Sequence, residues 1–99
     1  MVRIFNLHRN VRYDQFFTEQ FDVDTSYTKK KNKELAKQVE KRLEKLRTNP
    51  EYGKPLSHDK AGLREVHIKA HWVILYRIDF KNMTIVLLRL RTHENILGN

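Results

Sequence analysis

The stretch Gly62-Leu63-Arg64-Glu65-Val66-His67-Ile68-Lys69-Ala70-His71-Trp72-Val73-Ile74-Leu75-Tyr76 constrains the fold more than any other. It reads as two strands folded on each other. Val66 and Ile68 point to one side of the first strand, and Glu65, His67 and Lys69 to the other. Lys69-Ala70-His71 predicts a tight reversal. Trp72 to Tyr76 is an almost unbroken apolar run, as expected of a central strand covered on both faces. The hairpin therefore carries an arginine, two histidines and a tryptophan.

The rest of the chain must supply a core for this hairpin. Its 99 residues suffice for one domain, expected over 1–99. There are no cysteines, hence no disulfide and no thiolate metal site, which suits a reducing cytoplasm. No apolar run approaches the ~20 residues of a membrane span. Met1 to Phe5 lacks a signal-peptide pattern. The formal net charge of +8 favours an anionic partner: nucleic acid, an acidic protein or a membrane surface. A lysine-rich soluble protein without such a partner is the plain alternative.

Upstream, Val2 to Leu7 alternates as a short strand would. Asn10 is placed to cap a helix in which Tyr13, Phe16, Phe17 and Phe21 form one stripe. Asp22 to Ser26 is polar and predicts a loop. A second helix is expected from about Thr28 to Arg47, burying Leu35, Val39, Leu43 and Leu46. Thr48-Asn49-Pro50 ends it, because proline disfavours helix in the residue before it and lacks an amide donor. Glu51 to Gly62 predicts an ordered loop. Asp79 to Met83 predicts a turn, and Thr84 to Arg91 a last strand with Val86, Leu88 and Leu90 on one face and Arg89 and Arg91 on the other. Residues 91–97 are expected to leave the sheet as a loop or one helical turn. The order β-α-α-β-β-β gives an α+β fold, an antiparallel β-sheet with two N-terminal helices packed on one face.

That arrangement leaves the other sheet face open. Glu65, His67, Lys69, Arg89 and Arg91 should share it, with His71, Trp72 and His93 at its rim. Cleaving RNA through its own 2′-hydroxyl requires a base, an acid for the leaving oxygen and cations for the developing charge. Histidine titrates near ~6.5 and serves either proton role. Arginine grips phosphate in a bidentate fork. Tryptophan offers an unpaired base a stacking surface. On the second helix Lys33, Lys37, Lys41 and Lys45 stand at i, i+4 spacing. Such like-charge pairs cost a few tenths of a kcal/mol each. They are either a solvated face or a footing on a phosphate backbone. His67 and His71 do not have the spacing of zinc ligands on one helical face, and HExxH is absent, so neither a metal nor a cofactor is expected.

Several motifs together resemble the RelE/ParE superfamily of toxins, and within it the YafQ type of messenger-RNA interferase. They are Lys54-Pro55-Leu56, Gly62 to Ile68, His71 to Tyr76, and Leu88-Arg89-Leu90-Arg91-Thr92-His93-Glu94-Asn95-Ile96-Leu97. The carboxy-terminal half matches in sequence, the amino-terminal half in layout. The resemblance implies a ribosome-dependent endoribonuclease of a type II toxin–antitoxin system, cytoplasmic, with a cognate antitoxin, ribosome and messenger RNA as partners in a toxin–antitoxin hetero-oligomer. By the resemblance His93 is a proton donor and His67 a second active-site histidine; Arg64, with Arg91, is expected to stabilise the transition-state charge on the phosphate. His71 stands where an acidic residue precedes Trp72. Lys54 stands where YafQ-like chains carry histidine, and Leu97 where an aromatic is common. Lys54, Trp72, Arg89 and Arg91, with Lys37, Lys41 and Lys45, are the candidate RNA contacts.

Each residue also has a plain reading. Trp72 serves equally as a core anchor, His71 as a turn residue, His67 as an inert strand residue, His93 as a surface group, and the arginines as solvated or ion-paired groups. At the level of the whole chain, two alternatives remain: a ParE-like toxin that inhibits a topoisomerase without chemistry, and a non-catalytic RNA- or antitoxin-binding module. The topoisomerase inhibitor has no need of His67 and His93.

Overall fold

The computed structural model describes residues 11–69 and 71–92. The elements are β1 (Asp14–Phe17), α1 (Glu19–Lys31), α2 (Lys33–Thr48), a 3-10 turn (Pro50–Tyr52), β2 (Lys54–Pro55), a second 3-10 turn (His58–Lys60), β3 (Arg64–Ile68), β4 (Trp72–Asp79) and β5 (Thr84–Thr92). The strands form one five-stranded sheet in the order β1-β5-β4-β3-β2. The fold is α+β, with both helices on one face. The sheet is mixed rather than wholly antiparallel, because β1 runs parallel to β5. A hairpin cannot join parallel neighbours; here the helix pair and the rest of the sheet intervene in the chain.

The expected strand at Val2–Leu7 and the cap at Asn10 lie outside the described residues. Three other upstream expectations change. Tyr13 to Phe17 is not helical: Asp14–Phe17 is β1, paired with Thr84–Leu87. The aromatic spacing fits both periods, and the free edge of β5 decides between them. Phe17 still reaches its helical partner, stacking on Phe21 with centroids 5.7 Å apart. Asp22 to Ser26 is the middle of α1, not a loop. That helix buries only Phe21 and Thr28, so its apolar signal is faint. It is held by its ends instead. Thr18 Oγ1 accepts the Phe21 amide and donates to the Leu87 carbonyl at 2.8 Å. Glu19 and Asp22 sit at its positive end and Lys29 to Lys31 at its negative end. The expected single helix from Thr28 is interrupted at Asn32, whose extended backbone ends α1 while its side chain caps α2 through the Leu35 amide.

Leu35, Val39, Leu43 and Leu46 form the buried stripe of α2, as expected. They meet Val66, Ile68, Ile74, Tyr76, Ile85, Leu87 and Leu90 of the sheet. The last three correct the expected face of β5. Regular alternation would group Val86, Leu88 and Leu90. A register shift opposite Leu75/Tyr76 leaves Leu88 without a partner on β4. One extra residue reverses the parity, so Ile85, Leu87 and Leu90 all enter the core.

Two locks fix the sheet's margins. Past β1, β5 has a bare edge, and the Leu90 amide there donates to Asp24 Oδ2 of α1 at 2.9 Å. Arg89 Nε donates to the same oxygen at 2.9 Å, with Nη2 3.3 Å from Oδ1. Replacing Asp24 with alanine strands an edge amide and a partly buried guanidinium together. The expected cost is about 3 kcal/mol, read as a lower denaturation midpoint with unchanged m-value. The second lock is Tyr76, fully buried. Its hydroxyl donates to the Pro50 carbonyl at 2.7 Å and accepts the Gly53 amide at 2.8 Å. Burial pushes the phenol's pKa up, so it remains a donor at any physiological pH.

Candidate active site

Strand register assembles the site. Lys54, Glu65, Leu75 and Arg89 form one cross-strand row on the face away from the helices. His67, Val73 and Arg91 form the next. This face is less bare than the sequence suggested, since Glu65, Val73 and Val86 are buried on it. His67 remains prominent, its side chain 52% exposed. Arg91 is half-buried and Lys54 exposed. His67 and Arg91 thus flank the buried Val73, two strand spacings or about 10 Å apart at the backbone.

The other expected residues are distributed differently. Arg89 belongs to this face by register, but its guanidinium turns over the sheet edge to Asp24. Arg64 is three residues from His67 on an unbulged strand and therefore lies on the helix side. There it donates to the carbonyls of Glu51 at 3.1 Å and Gly53 at 2.6 Å, with Glu51 Oε2 3.6 Å away. It ties down the turn before Lys54. Trp72 also points to the helix side and packs against the core. With Val23, Tyr27 and Leu90 it lines a groove beside α1 that Arg91 also borders. His71 is exposed in the β3–β4 turn, which Lys69 enters with a positive φ of 55°. His93 lies outside the described residues.

Lys37, Lys41 and Lys45 are exposed on α2. Lys45 Nζ stands 4.5 Å from the centre of the Tyr52 ring. Arg42 Nε donates to the His67 carbonyl at 3.4 Å, covering the edge of β3 beyond β2. Hydrogen bonding from Gln38, then the charges of Lys69, Lys37 and Lys41, hold the Glu34 carboxyl below its usual range. Sequence patterning missed Arg42 beside His67, because the contact between α2 and β3 is tertiary. It also missed Glu65 as part of the site. Alternation put Glu65 on the right face, but its burial was not visible. Among the described residues no three His, Cys, Asp or Glu side chains gather as a metal centre requires. No described helix is long and apolar enough to cross a membrane.

The sequence model of the ParE toxin of the type II toxin–antitoxin system parDE matches residues 11–97. The chain is 30% identical over 67 residues to the protein named as toxin RelE4 in Methanocaldococcus jannaschii, covering 68% of this chain and 71% of that one. Among solved structures, it is similar to the toxin–antitoxin complex RelBE2 of Mycobacterium tuberculosis. That match has 31% identity and a TM-score of 0.71, over 84% of this chain and 93% of the other. It is similar in fold to the DinJ–YafQ complex of E. coli, with 23% identity and a TM-score of 0.66, over 88% of this chain and 100% of the other.

Proposed function

We propose, because this chain belongs to the ParE toxin family of type II toxin–antitoxin systems, that it arrests translation by cutting messenger RNA on the ribosome. The reaction needs no metal, since the substrate supplies its own nucleophile. A base takes the proton of a 2′-hydroxyl. O2′ then bonds to the adjacent phosphorus as the P–O5′ bond breaks, and the leaving oxygen takes a proton from an acid. The products are a 2′,3′-cyclic phosphate and a 5′-hydroxyl end.

The observation that carries this reading is the pairing of His67 and Arg91 around Val73 on a rigid sheet. A phosphate seated over Val73 lies between an exposed imidazole and a guanidinium. His67 exchanges a proton there, Arg91 offsets the developing charge, and Lys54 holds the neighbouring phosphate. His93, next after β5 in sequence, is the proton donor, with His71 a further proton-handling group near the rim. Arg64 and Trp72, on the helix side, act through the elements they hold. So small an acid–base set relies on the ribosome to position the message. The partners are then the ribosome, its message and a cognate antitoxin, for which the net charge of +8 favours an acidic segment.

One observation favours a second reading, a ParE-like toxin that inhibits a topoisomerase: the matching family model is that of the ParE toxin. A single experiment separates them. The toxin is added to ribosomes programmed with message, and in parallel to a topoisomerase relaxing or supercoiling plasmid DNA. Message cut within the ribosome, leaving a cyclic phosphate, is expected. Intact message with an inhibited topoisomerase replaces the nuclease reading.

The lysine row gives a further expected outcome. Replacing Lys37, Lys41 and Lys45 together with glutamine weakens ribosome binding and flattens its salt dependence. The slope falls by about 0.7–0.9 log units for each phosphate that the row no longer neutralises. A filter-binding titration across salt concentrations checks this, and an unchanged slope makes the row a solvated face.

A further inference from the structure

We infer that Glu65 is a positioning residue for His67 and belongs to the site rather than to the core. This rests on the reading of His67 as a proton-handling group. Glu65 is 4% exposed, on β3 between β2 and β4, on the face away from the helices. Among the described residues its Oε2 has no hydrogen-bond partner. Its Oε1 lies 3.7 Å from Nε2 of His67. Its cross-strand neighbours are Lys54, which is exposed, and Leu75, which carries no charge. The next cation along the row, Arg89, is committed to Asp24.

A carboxylate buried with one oxygen unpartnered among the described residues is a costly occupant of a strand position. Glutamine or leucine would fill the same space without burying a charge. The group that gains from the carboxylate is the imidazole beside it. At 3.7 Å the carboxylate and the ring nitrogen are close enough to pair but beyond hydrogen-bond length, and the contact shortens when the ring becomes charged. The carboxylate thereby selects the ring's orientation and turns Nε2 inward. The proton taken from the 2′-hydroxyl, or given to the leaving oxygen, moves through Nδ1. When the ring takes a proton it becomes imidazolium, and the carboxylate beside it stabilises that charge. Glu65 touches no substrate, being enclosed beneath the ring.

The test uses Glu65→Gln and Glu65→Leu in the full chain, each alone and combined with His67→Ala. Both single variants are expected to fold with a Tm at or above the parent's, since each removes a buried charge. Both are expected to slow single-turnover cleavage on saturating programmed ribosomes by about 100-fold, the lower end for a proton-transfer group, with ribosome affinity unchanged. In the His67→Ala background neither change should slow cleavage further, because the two residues act as a unit. In the free toxin, the ring nitrogen resonances of His67 should shift in Glu65→Gln while amide resonances elsewhere in the sheet stay in place. Cleavage at the parental rate, or additive losses with His67→Ala, overturns the inference while leaving the nuclease reading intact. Loss of folding in both variants overturns it as well, by making Glu65 structural. If the parent itself cuts no message, the nuclease reading fails, and the ring resonances alone decide: unshifted, they overturn the inference.

Discussion

His67→Ala is expected to slow single-turnover cleavage of ribosome-bound message by about 100- to 10,000-fold, the usual penalty for removing a positioned proton-transfer group. The side chain is half exposed on β3, paired there with Val73 of β4, so truncation removes chemistry without opening a cavity. Saturating toxin separates the chemical step from binding. His93→Ala should fall in the same range, and Arg91→Ala should lose a comparable factor through the transition-state charge it no longer meets. Arg64→Ala behaves differently. Its guanidinium holds the carbonyls of Glu51 and Gly53 on the far face, so its removal should lower the denaturation midpoint along with the rate. If His67→Ala and His93→Ala both cut at the parental rate while remaining folded, catalysis by these histidines is wrong and the cleavage is carried by other groups of the chain.

Gly53→Ala is expected to destabilise the fold by about 3 kcal/mol, combining overpacking with a broken pair of hydrogen bonds. The backbone at this glycine is ordinary and extended; what matters is space. An added methyl would overlap the Tyr76 hydroxyl and lie 2.7 Å from Tyr76 Cε1 and 2.9 Å from the Glu65 carbonyl oxygen. The Tyr76 ring is fully buried, and the carbonyl belongs to β3, so neither gives way cheaply. Relief must come from the turn, which moves away and carries Lys54 with it. Denaturant unfolding measures the cost. Tyr76→Phe in the same background tests the cause, because removing the hydroxyl removes the nearest obstruction and should recover part of the stability. Strict additivity of the two changes would point to some other origin.

Local chemistry in the sequence was enough for the central hairpin, its reversal at Lys69 to His71, the buried stripe of α2 and the stop at Pro50. Each depends on neighbours one to four residues apart: alternation, helical spacing, or proline's missing amide. The placement of His67 on the face away from the helices also followed from alternation within one strand. What lay beyond the sequence depended on partners distant along the chain. Tyr13 to Phe17 satisfied a helical stripe and a strand equally, and only the edge of β5, some seventy residues on, made it a strand. The middle of α1 looked like a loop because its stabilising contacts are Asp24 with Arg89 and Thr18 with Leu87, not an apolar face. Alternation in β5 misassigned Val86 and Leu88, since one bulged residue reverses every side chain beyond it. Arg64 and Trp72 were adjacent to the site in sequence and separated from it by the thickness of the sheet. Glu65 went the other way: an ordinary strand glutamate is buried by the fold, with its Oε1 3.7 Å from Nε2 of His67.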